Sequence, residues 1–336
     1  MAHMPARCAA LLGALLAATA AAAEPIGLKL AFFSSDRSTT YLAAIRPFVD
    51  AVNAEAKGLL DIRLYPSGAL GKEIARQPQI VLDGTADLAF IVPGYTPELF
   101  PDNAVIELPG LFRDAREASH VHTRLVAERA LKGYRDFFVI GAYESEPETI
   151  HGRVPLASIT DLQGKRIRVN NPEQAAALQR LGAIPVAMQV TAIADALSSG
   201  AIDAATVSRI PLSDFGISRV ATHHYLLPTS GAPVALVMRR RVFDGLPAAA
   251  RAVIQKYSGW WAAERFAETY ASVDRKVLGQ LASDSKRQLV EPSRADLKLA
   301  DEVFQAVRAE IASSDPHRQS LLRAVDNELS TLRSTK

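Results

Sequence analysis

The stretch GKRIRVNNPEQ, residues 164–174, sets Arg168 inside a short apolar strand pattern and follows it with a polar turn. The turn, Asn170-Asn171-Pro172-Glu173, opens a helix, so Arg168 sits near a strand end facing a helix start. That is where α/β proteins hold their ligands. A guanidinium presents a planar fork of donors matched to a carboxylate, so the chemistry on offer is capture of an organic acid. The alternative is an internal ion pair with an Asp or Glu, because a guanidinium buried without a partner is costly. Other strand ends supply residues to surround an acid: Phe33 and Ser34, Tyr95 after Pro93-Gly94, Tyr143, Asn170, Thr206 and Phe215. Aromatic rings there would cover an apolar body, while hydroxyls and amides fix its orientation. Glu144, Glu146 and Glu148 alternate along one segment, and alternate strand positions share a face. They read either as contacts to an amine or hydroxyls, with Glu146 counted among the site candidates, or as a solvated face near a hinge.

Reaction chemistry finds less support. The chain has no G-x-S-x-G, H-E-x-x-H or G-x-G-x-x-G. GALGKE, 68–73, imitates a phosphate loop, but its first glycine is misplaced and Glu73 stands where Ser or Thr would hold magnesium. Ser283-Asp284-Ser285-Lys286 matches S-x-x-K without the S-D-N and K-T-G that accompany it in penicillin-recognising enzymes, and reads as a helix C-terminus. His120 and His122 fall on different sides of a helix, and His223 and His224 on opposite faces of a strand, so neither pair makes a metal site. No catalytic residue, metal or cofactor is expected.

The 336 residues are 22% charged and 49% hydrophobic with a formal net charge of +2, an ordinary globular balance sufficient for two cores. This balance argues against a nucleic-acid binder, and the Arg239-Arg240-Arg241 run reads as a solvated helix start. Residues 1–23 combine Arg7, an Ala/Leu-rich run and a small-residue AAA before Glu24, the pattern of a secretory signal. Cys8 is the single cysteine and lies before that run, so cleavage leaves no thiol, and a periplasmic chain is expected.

Strand-length apolar runs alternate with helix-length amphipathic stretches. LKLAFF (28–33), LLDIRLY (59–65), ADLAFIV (86–92) and FFVIGAY (137–143) form one set; RIRV (166–169), IPVAM (184–188) and IDAATV (202–207) form a second. This βα rhythm predicts two α/β domains with parallel sheets facing a cleft. From Pro247 to Leu281 apolar residues recur at helical spacing without a proline, predicting one helix of about 35 residues, some 50 Å long, that crosses both domains. Trp260 and Trp261 lie on it and read as structural.

Six segments in order resemble the substrate-binding proteins of tripartite ATP-independent periplasmic (TRAP) transporters. They are YPSGALGKEIARQPQIVLDGTADLAFIVPG, IELPGLFRDAREASHV, ITDLQGKRIRV, LGAIPVAM, ALSSGAIDAATV and VMRRRVFDGLPAAARAVIQKY. The resemblance implies a two-lobed, type II-like α/β periplasmic binding protein with a hinge and a long C-terminal helix spanning both lobes. Lobe I would comprise 24–145 plus 233–281, and lobe II 146–232 plus 282–336 with the C-terminal helices. It implies a non-catalytic receptor that closes on a small carboxylate and delivers it to inner-membrane permease subunits, with Arg168 meeting the carboxylate; a monomer is the simplest expectation. The alternatives are a secreted enzyme using glutamates such as Glu146 as acid/base groups, or a ligand receptor for a sensor. Two departures stand out. Pro147 and Glu148 occupy the place of a second arginine common in the family, and the segment 203–208 lacks its usual asparagine.

Overall fold

A computed structural model describes residues 24–334; the expected secretory signal, 1–23, lies outside the described residues. Eleven strands and eleven α-helices are described. In the first half β1 (Ile26–Ala31), β2 (Leu60–Tyr65), β3 (Leu88–Ile91) and β4 (Phe137–Glu144) alternate with α1 (Arg46–Glu55), α2 (Gln77–Leu82) and α3 (Ala115–Ala127). The chain then crosses into a second sheet through β5 (Thr149–Gly152). It continues through β6 (Arg166–Val169), α4 (Pro172–Arg180), β7 (Ile184–Ala187), α5 (Ile193–Ser199), β8 (Ala204–Val207), α6 (Arg209–Asp214) and β9 (His223–Tyr225). β10 (Pro233–Arg239) returns to the first sheet, followed by α7 (Arg240–Gly245), α8 (Ala248–Lys256) and α9 (Trp260–Ser283). β11 (Gln288–Val290), α10 (Arg294–Ser314) and α11 (Pro316–Ser334) complete the chain.

The strand orders are β2-β1-β3-β10-β4 and β11-β9-β5-β8-β6-β7. Both sheets are mixed, contrary to the all-parallel expectation. β10 runs antiparallel to β3 and β4, and β5 runs antiparallel to β8 and β9. These are the strands that carry the chain between the two sheets, and each enters its new sheet from the side facing the other half. The fold is therefore two-lobed α/β, with the crossings at 145–148 and 226–232 lying side by side. Glu148 N donates to Ser230 O (2.9 Å) and Ser145 N to Ala232 O (3.1 Å) across them.

The single long helix is also corrected. Apolar spacing runs unbroken from 247 to 281, but Gly259 adopts φ +62°, ψ −124° and its N–H donates to Ile140 O at 2.7 Å, dividing α8 from α9. Only glycine takes that backbone conformation without strain. The 24 residues of α9 still reach about 36 Å. Ala262, Ala263, Phe266 and Tyr270 pack in the core of the first sheet, and Val277 and Leu281 in that of the second. Its C-terminus falls at Ser283, the start of the S-x-x-K tetrapeptide. Trp260 is exposed and packs at a tilt against His120 with ring centroids 4.5 Å apart, and Trp261 carries the Arg265 guanidinium over its ring. The arginine run opens α7. Arg333 is paired with Glu117 at 2.6 Å and His317 with Asp102 at 2.8 Å, tying α11 to the first half.

Candidate ligand-binding site

A cavity lies between the two halves, partly open to solvent. Its apolar wall includes Phe33, Phe90, Val92, Val190, Val207 and Phe215; its polar groups include Ser34, Tyr95, Glu148, Arg168, Asn170 and Asp214. β6 delivers Arg168 there because strand alternation sends Ile167 and Val169 into the core below and Arg168 to the other face. The side chain is 1% exposed.

Each donor of Arg168 can be traced. Nε donates to Met188 O (3.0 Å), Nη1 to Thr206 O (2.7 Å), and Nη2 to both Tyr95 Oη (2.7 Å) and Asn170 Oδ1 (3.0 Å). A guanidinium has five N–H groups, so one remains, on Nη1. The expected open fork is thus mostly engaged by neutral acceptors. These orient the group without cancelling its charge. Glu148 Oε1 lies 3.8 Å from Nη1, an ion pair beyond hydrogen-bond length. This carboxylate stands where the sequence resemblance leads one to expect arginine. Burial raises the Glu148 pKa above the ordinary range, with Arg168 pulling the other way.

Two further donors sit beside the guanidinium. Tyr95 Oη accepts from Arg168 Nη2 and from Val190 N (2.9 Å), so its own proton is left to donate. Asn170 Nδ2 is buried and has no hydrogen-bond partner, although Oδ1 of the same amide is engaged. Asn170 and Asn171 belong to the turn that opens α4: Asn171 Oδ1 caps Gln174 N at 2.7 Å, and Gln174 Oε1 accepts from Asn170 N at 2.8 Å. The sequence capping pattern therefore fixes the amide beside Arg168. Arg168, Tyr95 and Asn170, each with a hydrogen not engaged elsewhere, line one cavity that has an apolar wall, a donor set suited to an anion.

Of the sequence candidates, Arg168, Asn170, Tyr95, Phe33, Ser34 and Phe215 line this cavity. Tyr143, Thr206 and Glu146 are not among its lining residues. Tyr143 is fully buried between Phe266 (4.4 Å between centroids) and Phe90 (6.4 Å), with its hydroxyl unpartnered. It is core because Phe266 of α9 covers that face of β4. Thr206 donates to Arg168 O at 2.8 Å and to Gln174 Oε1 at 2.7 Å, supporting the arginine from behind. Glu146 Oε2 accepts from Ala115 N at 3.1 Å at the start of α3. The three glutamates share no face, because β4 ends at Glu144 and the crossing turns through Ser145 and Glu146. Glu144 is buried with both oxygens unpartnered, and burial pushes its pKa well up. Glu148, Phe90, Asp214 and Tyr270 line the cavity without having been named as site candidates. Asp214 accepts from Thr39 N at 2.8 Å, and Tyr270 bonds Thr40 through its hydroxyl. The same-face spacing of the acidic residues pointed to the segment holding Glu148, but nothing local distinguished it from Glu146.

Among the described residues no group of three or more His, Cys, Asp or Glu could hold a metal ion, and no helix is long and apolar enough to cross a membrane. His122 is buried in α3, bonded to Tyr143 O and Tyr134 Oη at 3.1 Å each. His224 pairs instead with a histidine that the sequence reading passed over, His151, through Nδ1 atoms 2.8 Å apart.

The sequence model of the bacterial extracellular solute-binding proteins, family 7, matches residues 30–315. The 2,3-diketo-L-gulonate-binding periplasmic protein YiaO of Escherichia coli is 25% identical over 316 residues, 89% of this chain and 91% of that protein. A marine metagenome TRAP solute binding protein specific for aromatic acid ligands, solved with metahydroxyphenylacetate, superposes with a TM-score of 0.84 at 24% identity, covering 91% of this chain and 99% of that one. A TRAP solute binding protein from Rhodoferax ferrireducens, solved with copurified benzoate, gives 0.83 at 23% identity, covering 92% and 99%. At these identities the structural likeness speaks to the fold.

Proposed function

The chain belongs to the bacterial extracellular solute-binding proteins of family 7, and from that premise we propose that it is a periplasmic receptor that captures a small aromatic carboxylate. It acts without catalysis, as a monomer, and passes its ligand to a TRAP-type membrane permease. One observation carries the ligand class. The buried Arg168 guanidinium retains a donor beside the Tyr95 hydroxyl proton and the unpartnered Asn170 amide, all at a wall of phenylalanine and valine. The donors receive the carboxylate, and Phe33, Phe90 and Phe215 cover the ring. The two solved relatives, bound to metahydroxyphenylacetate and benzoate, support this assignment. Micromolar capture requires about 8 kcal/mol; one charge-assisted contact contributes about 1.5–3 kcal/mol net, and ring burial supplies much of the rest.

The lobes close by hinge motion at the paired crossings, with Tyr95 of the first half reaching Arg168 and Val190 of the second. Calorimetric titration with benzoate, phenylacetate and hydroxylated analogues tests the assignment, with Arg168→Gln as the control. Binding by the wild type and a loss of at least about tenfold in the variant are expected. Equal affinity of the two proteins for the same acid overturns the anchor. An acid recovered chemically altered after incubation overturns the non-catalytic role.

A further inference from the structure

Resting on the acid-binding reading above, we propose that Glu148 is a specificity-determining residue. It makes the site favour acids that carry a hydrogen-bond donor, a hydroxyl or an amine, on the carbon next to the carboxylate. The remaining N–H of Arg168 is on Nη1, and Glu148 Oε1 lies 3.8 Å from that same nitrogen. A ligand oxygen bonded to Nη1 sits about 2.8 Å from it. Two carboxylates then flank one donor in a site walled by aromatic and aliphatic side chains. Like charges this close in a buried site do not both remain ionised without a hydrogen between them. A hydroxyl or amine on the adjacent carbon supplies that hydrogen. It points at Glu148 while the ligand carboxylate faces Nη1, Tyr95 and Asn170.

Glu148 is poorly placed to move aside. Its N–H donates to Ser230 O (2.9 Å), and its carbonyl accepts from Thr229 N (2.8 Å) and Thr229 Oγ1 (2.9 Å). Oε2 accepts from Gln174 Nε2 at 2.9 Å. The ionisable groups facing it from neighbouring elements are Arg168 on β6, Tyr95 after β3, Glu107 before α3 and Glu144 on β4. Arg168 is the one cation in that set, so any ligand carboxylate shares it with Glu148, and a plain acid offers no hydrogen to bridge the two. A donor-bearing acid meets Glu148 with a complementary group instead.

The test uses pairs of acids that differ only in that donor: phenylacetate against mandelate and phenylglycine, and propanoate against lactate. Each is titrated calorimetrically into the full chain at about pH 7.5 and about pH 5.5. The donor-bearing member is expected to bind about tenfold to a hundredfold more tightly at the higher pH. In Glu148→Gln the neutral amide meets a plain carboxylate without repulsion. The gap there should shrink to about threefold or less, mainly because the plain acid gains affinity. Equal wild-type affinities within a pair at the higher pH overturn the proposal while leaving acid binding intact. A plain acid that catches up only at the lower pH supports the proposal, because protonation of Glu148 removes the repulsion. Failure of every acid to bind overturns this proposal together with the function it rests on. Should the variant melt at the assay temperature, the wild-type pairs at the two pH values still decide the question.

Discussion

Replacing Tyr95 by Phe isolates one hydroxyl at the contact between the two halves. The ring keeps its place after the Pro93-Gly94 turn, but three roles of the oxygen disappear. It no longer accepts from Arg168 Nη2 (2.7 Å) or from Val190 N (2.9 Å), and it no longer donates into the cavity. The donated bond to a carboxylate is charge-assisted and contributes about 1.5–3 kcal/mol net, which corresponds to an affinity loss of about tenfold to a hundredfold. Loss of the accepted pair loosens the approach of the halves, so the change should fall mainly on the dissociation rate. Calorimetry gives the affinity, and stopped-flow tryptophan or tyrosine fluorescence separates the rates. Binding by Tyr95→Phe within about twofold of wild type would refute the assignment of the hydroxyl proton to the ligand. A loss that appears only in the association rate would refute the bridging role.

Tyr143→Phe should leave affinity unchanged and raise unfolding stability by about 1 kcal/mol in urea titration, because it removes a buried hydroxyl without a partner; weakened binding would restore Tyr143 to the site. The buried histidines make stability pH-dependent: burial lowers His122 and His224 to about 4, and His151 well below its ordinary value. Their contribution is complete above about pH 6.5 and declines as the pH falls toward 4, because the unfolded chain takes up protons that the folded one refuses. The raised carboxylates Glu107, Glu144 and Glu148 act in the opposite sense, since the folded state holds protons that the unfolded state releases above about pH 4.5. Comparing wild type with His122→Gln isolates one term: the variant should gain roughly 3 kcal/mol relative to wild type between about pH 7.5 and 4.5, measured by urea unfolding. Parallel stability curves would refute it.

Much of this site was readable from local chemistry. Arg168 announced itself as a charge inside an apolar strand, and the Asn-Asn-Pro turn marked the helix start that places Asn170 beside it. Tyr95, Phe33, Ser34 and Phe215 followed from strand ends. What stayed hidden depended on long-range geometry. Tyr143 lies one residue before the end of β4, and its cover, Phe266 of α9, comes from more than a hundred residues further along the chain. Glu148 and Glu146 look alike in sequence; the turn of the crossing sends one to Arg168 and the other to α3. The directions of β5 and β10 are set by where the chain re-enters each sheet, which no local pattern records. The break at Gly259 escaped because apolar spacing resumes in phase beyond it.

That break divides one apolar stretch into two separately anchored helices. α8 packs with α1 on the first half, whereas α9 threads both halves from a joint whose amide is fastened to Ile140. A continuous rod would drag the outer layer of the first half along with every swing of the second. The glycine joint uncouples α9 from α8, so the helix that ties the two cores together is fastened at Ile140 and not to the outer layer of the first half.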